Sequence, residues 1–166
     1  MSNIRICHDD ERTLILAIVN AAAEAYRGVI PADCWHEPYM SRNDLDREIG
    51  SGVVFWCYEE AGRPTGVMGL QPVRDVDLVR HAYVQPERQR GGIGAALLGH
   101  MRRKSTRRML VGTWAAAGWA IRFYQRQGFE LVAPARKTAL LKTYWNIPDR
   151  QVETSVVLAD PPLNGP

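Results

Sequence analysis

Hydrophobic positions along the chain recur at two spacings, about every second residue and about every third or fourth, and glycines or prolines mark most of the changes. Ile4 and Ile6 alternate with polar neighbours and predict a short first strand, after which Asp9 or Asp10 caps a helix carrying Leu14, Ile15, Ile18 and Ala22 and ending at Gly28. Ser41 with Asp44 has the form of a capping box and opens a second helix through Leu45 and Ile49 to the Gly50-Ser51-Gly52 stop. Val53-Val54-Phe55-Trp56-Cys57-Tyr58 is β-branched and aromatic, Glu60-Ala61-Gly62-Arg63-Pro64 supplies turn chemistry, and Val67-Met68-Gly69-Leu70 returns as the second arm of a hairpin that ends at Pro72. A further strand over 76–84 places Val76, Leu78 and Ala82 on one face and Val79 on the other, up to Pro86.

Beyond Gly92, Ala95-Ala96-Leu97-Leu98 begins a helix running to Met101. A strand over 109–114, a helix over 118–127 stopped by Gly128, and a strand over 129–132 come next. A short helix over 137–144 ends before Pro148, a last strand covers 153–158, and a Pro-rich tail covers 160–166. No internal repeat is visible. The order calls for an α/β (mixed α+β) domain, a mixed sheet with helices on its faces, in one unit over 1–166. The last strand either completes the sheet of its own chain or is exchanged in a homodimer.

Composition narrows the possibilities. With 166 residues, 46% apolar and 23% charged, the chain fits one soluble domain, and no apolar run approaches the roughly 20 residues that span a bilayer. The N-terminus lacks a secretory pattern, so the default compartment is cytoplasmic and no membrane partner is expected. Cys7, Cys34 and Cys57 are odd in number and lack a Cys-x-x-Cys pair, and His36 near Cys34 has no second ligand pair, so neither a disulfide framework nor a metal is expected. Net charge is +3, with a basic run over 102–108. That run raises nucleic acid as a partner, but a helix rising 1.5 Å per residue puts Arg103 roughly 14 Å from Gly94, so it reads as a solvated helix end.

The chemistry concentrates in Val84-Gln85-Pro86-Glu87-Arg88-Gln89-Arg90-Gly91-Gly92-Ile93-Gly94-Ala95, a glycine turn between a strand and a helix. Exposed amides and the helix dipole there favour a phosphate by about 0.3 to 2 kcal/mol per interaction, although a plain tight turn has the same composition. A Walker loop is excluded because Gly94 is followed by Ala95-Ala96 rather than Lys-Ser/Thr. A dinucleotide fingerprint lacks its third glycine at Leu97 and an acidic residue about 20 positions on. Coenzyme A is the third reading.

Gln89-x-x-Gly92-x-Gly94 after a strand and Val-x-Pro resembles the acyl-CoA-binding motif of the GNAT superfamily of N-acetyltransferases. Ala120-Ile121-Arg122-Phe123-Tyr124-Gln125-Arg126-Gln127-Gly128-Phe129 is similar to that family's second motif. The resemblance covers residues 53–132. It implies a GNAT-like central mixed, mostly antiparallel sheet flanked by helices, with a V-shaped splay between the fourth and fifth strands for the pantetheine arm of acetyl-CoA. Main chain near Tyr83 and Val84 would pair with that arm, amides from Gln89 through Arg90, Gly91, Gly92, Ile93, Gly94 and Ala95 would hold the pyrophosphate, and Arg90 would add a charge-assisted contact. Ala120 and Tyr124 would face the cofactor from the second motif. Ala117 stands where many relatives carry Asn, so binding at that point would lean on backbone.

The resemblance also implies direct transfer of acetyl, in a ternary complex, to a primary amine of a small molecule or peptide. Tyr124 suits the general acid, since a phenol with a pKa of about 10 is protonated when a thiol with a pKa near 8.5 departs as thiolate; packing beside Phe123 is its other reading. Where relatives carry a base, this chain has Leu78 and Arg80. His81 becomes a candidate base if a bulge turns it, the alternatives being a structural histidine or a water relay. Arg80 would either bind an anionic substrate group or pair with Asp75, Asp77 or Glu87. Trp35, His36 and Tyr39 form a candidate substrate lid, and Trp114, Trp119 and Trp145 are its candidate walls or core residues. A coenzyme A-binding regulatory module that has lost catalysis is the competing expectation.

Overall fold

A computed structural model describes residues 2–163. Among them, seven strands form one sheet. Strands β1 (Ser2–Ile6), β2 (Val54–Glu60), β3 (Arg63–Val73) and β4 (Val76–Val84) run antiparallel in turn, and β5 (Arg108–Trp114) lies parallel to β4. Strand β7 (Ser155–Asp160) inserts between β5 and β6 (Glu130–Leu131), antiparallel to both. Of the expected tail, Asp160 belongs to β7, and residues 164–166 lie outside the described residues.

Alternation along the strands divides the core between two faces. Helices α3 (Ile93–Lys104) and α4 (Gly118–Arg126) cover one face, where Leu97, Met101 and Tyr124 pack with Val79, Val111 and Leu158. On the other face, α1 (Arg12–Ala23) and α2 (Arg42–Gly50) bring Ile18, Val19 and Leu45 against Phe55, Cys57 and Val67. Farther along that face, α5 (Pro134–Tyr144) and α6 (Asp149–Glu153) set Leu141 and Val152 on Leu78, Leu110 and Val157.

Local chemistry explains where these elements begin and end. The capping box is present, with Ser41 Oγ accepting from the Asp44 amide at 3.0 Å and the Asp44 carboxylate accepting from the Ser41 amide at 2.9 Å. Helix α1 starts later than expected because Glu11, not Asp9 or Asp10, accepts from the His8 amide at 2.6 Å, and Arg5 anchors its carboxylate at 2.8 and 3.0 Å. Ala61 and Gly62 both have left-handed φ, 48° and 78°, as a two-residue hairpin turn requires. Strand β3 continues through Pro72 instead of stopping there. The β2 ladder has already ended at Val54 with Leu70, so a residue without an N–H is tolerated. Helix α6 takes Glu153, expected to start the last strand, because a short helix led by Pro148 has no periodicity to read.

Two departures from regular pairing shape the middle of the sheet. In the β3–β4 ladder Val67 faces Tyr83 while Gly69 faces Arg80, so β4 carries one extra residue, and His81 takes a left-handed φ of 51°. The bulge overturns the expected face of Ala82, which packs with the Val79 cluster under α3, whereas Tyr83 packs with the cluster under α1. Gly69 permits this close approach. A Cβ there would lie 2.7 Å from Val53 Cγ1 and 2.9 Å from the Arg80 carbonyl oxygen. Gly69→Val is expected to cost about 1 to 3 kcal/mol in denaturant unfolding, and an unchanged midpoint would contradict that packing. The second departure is that β4 and β5 pair only from Val76 with Arg108 to Val79 with Val111. Beyond that point the strands part, and β5 continues its pairing with β7 alone.

Candidate active site

The gap between β4 and β5 opens into a cleft of about 740 Å³. Val79, Ala82, Tyr83 and Val84 form one wall, α3 begins at one end, and Ala120, Phe123 and Tyr124 of α4 close the far side. Strand β4 leads through the turn Pro86–Arg88 into the glycine loop. Gln89 Nε2 ties this loop back by donating to the Val84 carbonyl at 3.2 Å, and Arg88 is fastened to Glu60 by a bond of 3.0 Å from Nε. Arg90 and Gly92 have left-handed φ of 67° and 82°. Gly92 is the N-cap of α3 and provides no side chain to cap it. Because the Ala96 amide is the one that bonds to the Gly92 carbonyl, the amides of Ile93, Gly94 and Ala95 precede the helical ladder and point out of the helix start. Such an end favours an anion through its free N–H groups and its dipole.

Most of the expected cofactor residues come together here. Tyr83, Val84, Gln89, Arg90, Gly92, Ile93, Gly94, Ala95, Ala120 and Tyr124 all line the cleft. Gly91 and Ala117 do not. Ala117 is fully buried against Ile30 and Trp114, where its carbonyl accepts from the Ala120 and Ile121 amides at 3.0 and 3.2 Å, so it shapes the start of α4 from behind. Arg88, Trp119, Arg126 and Gln127 also line the cleft, although no motif singled out Arg88, Arg126 or Gln127.

Tyr124 is buried, its ring edge-on to Phe123 at 5.1 Å and to Phe129 at 5.7 Å. Packing and cleft exposure therefore coexist in this residue. Burial, with the neighbouring Tyr26 phenol adding a smaller push, raises its pKa well above the ordinary value. The phenol stays protonated at neutral pH.

The bulge puts His81 on the same side as Arg80. Its ring stacks on Phe55 at 6.0 Å, and its Nε2 lies 3.4 Å from the Glu48 carboxylate of α2. Desolvation lowers the imidazole pKa, Glu48 opposes that shift, and Arg80 adds to it, leaving a neutral ring at neutral pH. Arg80 does not meet the partners expected for it. It donates to Gln71 Oε1 at 2.8 Å and pairs with Glu48 at 3.1 Å, while Asp77 accepts from Ser105 Oγ and Asp75 from the Tyr144 hydroxyl. Its guanidinium is thus occupied within the protein. Glu48 escaped the sequence reading because it lies 32 positions before Arg80 on another helix.

A smaller cavity of about 110 Å³ lies beside the splay, where Leu141 of α5 and Gln151 of α6 contribute to its lining. It shares Tyr26, His81, Tyr83 and Thr113 with the main cleft and adds Tyr39, Trp114 and Trp145. Trp114 Nε1 donates to the Tyr39 hydroxyl at 3.2 Å, and the Tyr26 ring lies 5.8 Å from Tyr39 and 6.3 Å from Tyr83. Burial, with Tyr39 nearby, pushes the Tyr26 phenol up to about 12. Of the candidate lid, Tyr39 reaches this cavity. The Trp35 ring lies 5.6 Å from Tyr39 with the Arg27 guanidinium over it, and exposed His36 lines neither cavity.

The basic run is more tightly held than a solvated helix end. Arg102 pairs with Asp160 at 2.6 Å, Arg107 donates to the Arg74 carbonyl and Arg108 to that of Pro161. No helix among the described residues is long and apolar enough to cross a membrane.

A split sheet with a glycine loop at the start of the following helix defines the class. Residues 51–131 match the model of the acetyltransferase (GNAT) domain. Solved structures share its fold. The ribosomal-protein-S18-alanine N-acetyltransferase of Escherichia coli is 19% identical with a TM-score of 0.67, over 96% of this chain and 92% of that one. The PaiA N-acetyltransferase of Thermoplasma acidophilum, in complex with coenzyme A, is 16% identical with a TM-score of 0.71, over 96% and 98%. The yncA protein of Salmonella typhimurium, with its cofactor acetyl-CoA, is 21% identical with a TM-score of 0.60, over 80% and 82%. Comparison with curated proteins finds no match.

Proposed function

We propose that this protein is an N-acetyltransferase that moves an acetyl group from acetyl-CoA to a primary amine of a small molecule or peptide, both substrates being bound together. The observation that carries the proposal is the parting of β4 from β5 after Val79, directly beside the uncapped start of α3 and with Tyr124 on the cleft wall. The Ile93, Gly94 and Ala95 amides suit the pyrophosphate, with Arg90 at the loop adding positive charge. The edge of β4 that faces β5 around Tyr83 and Val84, beyond the last pair at Val79 with Val111, suits the amide-bearing pantetheine arm.

The smaller cavity shares His81, Tyr83 and Thr113 with the cleft at the splay, and this adjacency supports it as the acceptor's side of the site. In the reaction the neutral amine nitrogen attacks the thioester carbonyl, forming the C–N bond, and the C–S bond then breaks. Tyr124 gives its proton to the departing thiolate, and His81 takes the proton lost by the amine. The test is acetyl-CoA with a panel of primary amines, reading free thiol and acetylated amine together. Amine-dependent thiol release with matching product is expected. Coenzyme A binding without transfer to any amine would instead favour the non-catalytic module.

A further inference from the structure

His81 is held in a conformation that a non-glycine residue rarely adopts, with a bulge in its own strand and two neighbouring side chains around it. The β4 bulge sets its φ at 51°, Phe55 of β2 stacks on its ring, and Glu48 of α2 lies 3.4 Å from Nε2. Glu48 is fixed from its other side, since Arg80 pairs with it at 3.1 Å and is itself bound to Gln71 at 2.8 Å. Nε2 is shielded from solvent and has no hydrogen-bond partner, so the Glu48 carboxylate is the acceptor it faces. His81 also lines both the main cleft and the smaller cavity, at the place where the two strands separate.

We propose that Glu48 is a positioning residue that orients His81 as the base for the attacking amine; this deepens the acetyltransferase reading and rests on it. With the ring proton on Nε2, 3.4 Å from the Glu48 carboxylate, Nδ1 is left as the basic nitrogen. As the C–N bond forms, the amine proton passes to Nδ1, and the resulting imidazolium is balanced by the Glu48 carboxylate. Water takes the proton after the product leaves. The charged groups acting on His81 are Glu48 from α2 and Arg80 from β4; Tyr83 on β4 and Tyr26 after α1 share its cavity as neutral phenols.

The test compares kcat against pH for wild type, Glu48→Gln and Glu48→Asp with one amine. The acceptor's own titration is then common to all three. Removing the carboxylate withdraws the influence that raises the imidazole pKa and leaves Arg80 unopposed. The acid limb of Glu48→Gln is therefore expected to move to lower pH, with kcat reduced about 10-fold or more on the plateau and KM for acetyl-CoA unchanged. Glu48→Asp keeps the charge and is expected to hold the limb near its wild-type position. If Glu48→Gln alone does not fold, the double variant Glu48→Gln/Arg80→Gln leaves no lone charge inside and shifts the limb in the same direction. Active variants whose acid limb stays in place would overturn the role of Glu48 while leaving acetyl transfer intact. A wild-type protein that transfers to no amine would overturn both.

Discussion

Replacing Tyr124 with phenylalanine is expected to lower kcat by about 100-fold or more, with the affinity for acetyl-CoA essentially unchanged. The substitution removes one oxygen and keeps the ring whose edges meet Phe123 and Phe129 at 5.1 and 5.7 Å, so the core around it is preserved. What disappears, in the proposed mechanism, is the proton given to the departing thiolate. Because burial raises the phenol above its ordinary pKa of 10.0, Tyr124 remains an acid across the neutral range and contributes no basic limb to the wild-type profile below about pH 10. Single-turnover thiol release separates this step from binding. A Tyr124→Phe protein with wild-type kcat would assign the residue to packing alone.

The second large effect is expected at Gly92. Gly92→Val is expected to weaken acetyl-CoA binding about 10-fold or more, which is roughly 1.4 kcal/mol per decade. A Cβ at this position meets no protein atom within 4 Å, so the consequence comes from the backbone. A φ of 82° is left-handed, and a β-branched residue there costs about 1 to 2 kcal/mol or relaxes away from it. Relaxation turns the amides of Ile93, Gly94 and Ala95 from a shared anion. Calorimetry reads the affinity and thermal unfolding reads the fold. Unchanged affinity would show that these amides do not hold the pyrophosphate.

Features whose cause lies within a few residues were legible in the sequence. The capping box at Ser41 and Asp44, the Ala61-Gly62 turn and the glycine loop each depend on side-chain chemistry or φ at neighbouring positions. The splay between β4 and β5 came instead through the resemblance of two motifs. Features set by pairing between distant segments were not legible. The bulge at His81 arises from a mismatch between β3 and β4, and it turned Ala82 away from the face that simple alternation assigns. Glu48 reaches His81 and Arg80 from α2, a meeting that no local spacing encodes. Arg80 consequently met an internal carboxylate rather than the acids close to it in sequence. Ala117 followed the same pattern, since the packing of Ile30 and Trp114 around it decides its burial.

The most direct test of the account is calorimetric titration of the protein with acetyl-CoA, with free coenzyme A and NADH titrated in parallel. Micromolar binding of acetyl-CoA, about −8 kcal/mol, together with comparable binding of coenzyme A and none of NADH, is the expected result. Absence of acetyl-CoA and coenzyme A binding would contradict the assignment of the β4–β5 cleft and its glycine loop as the acyl-donor site.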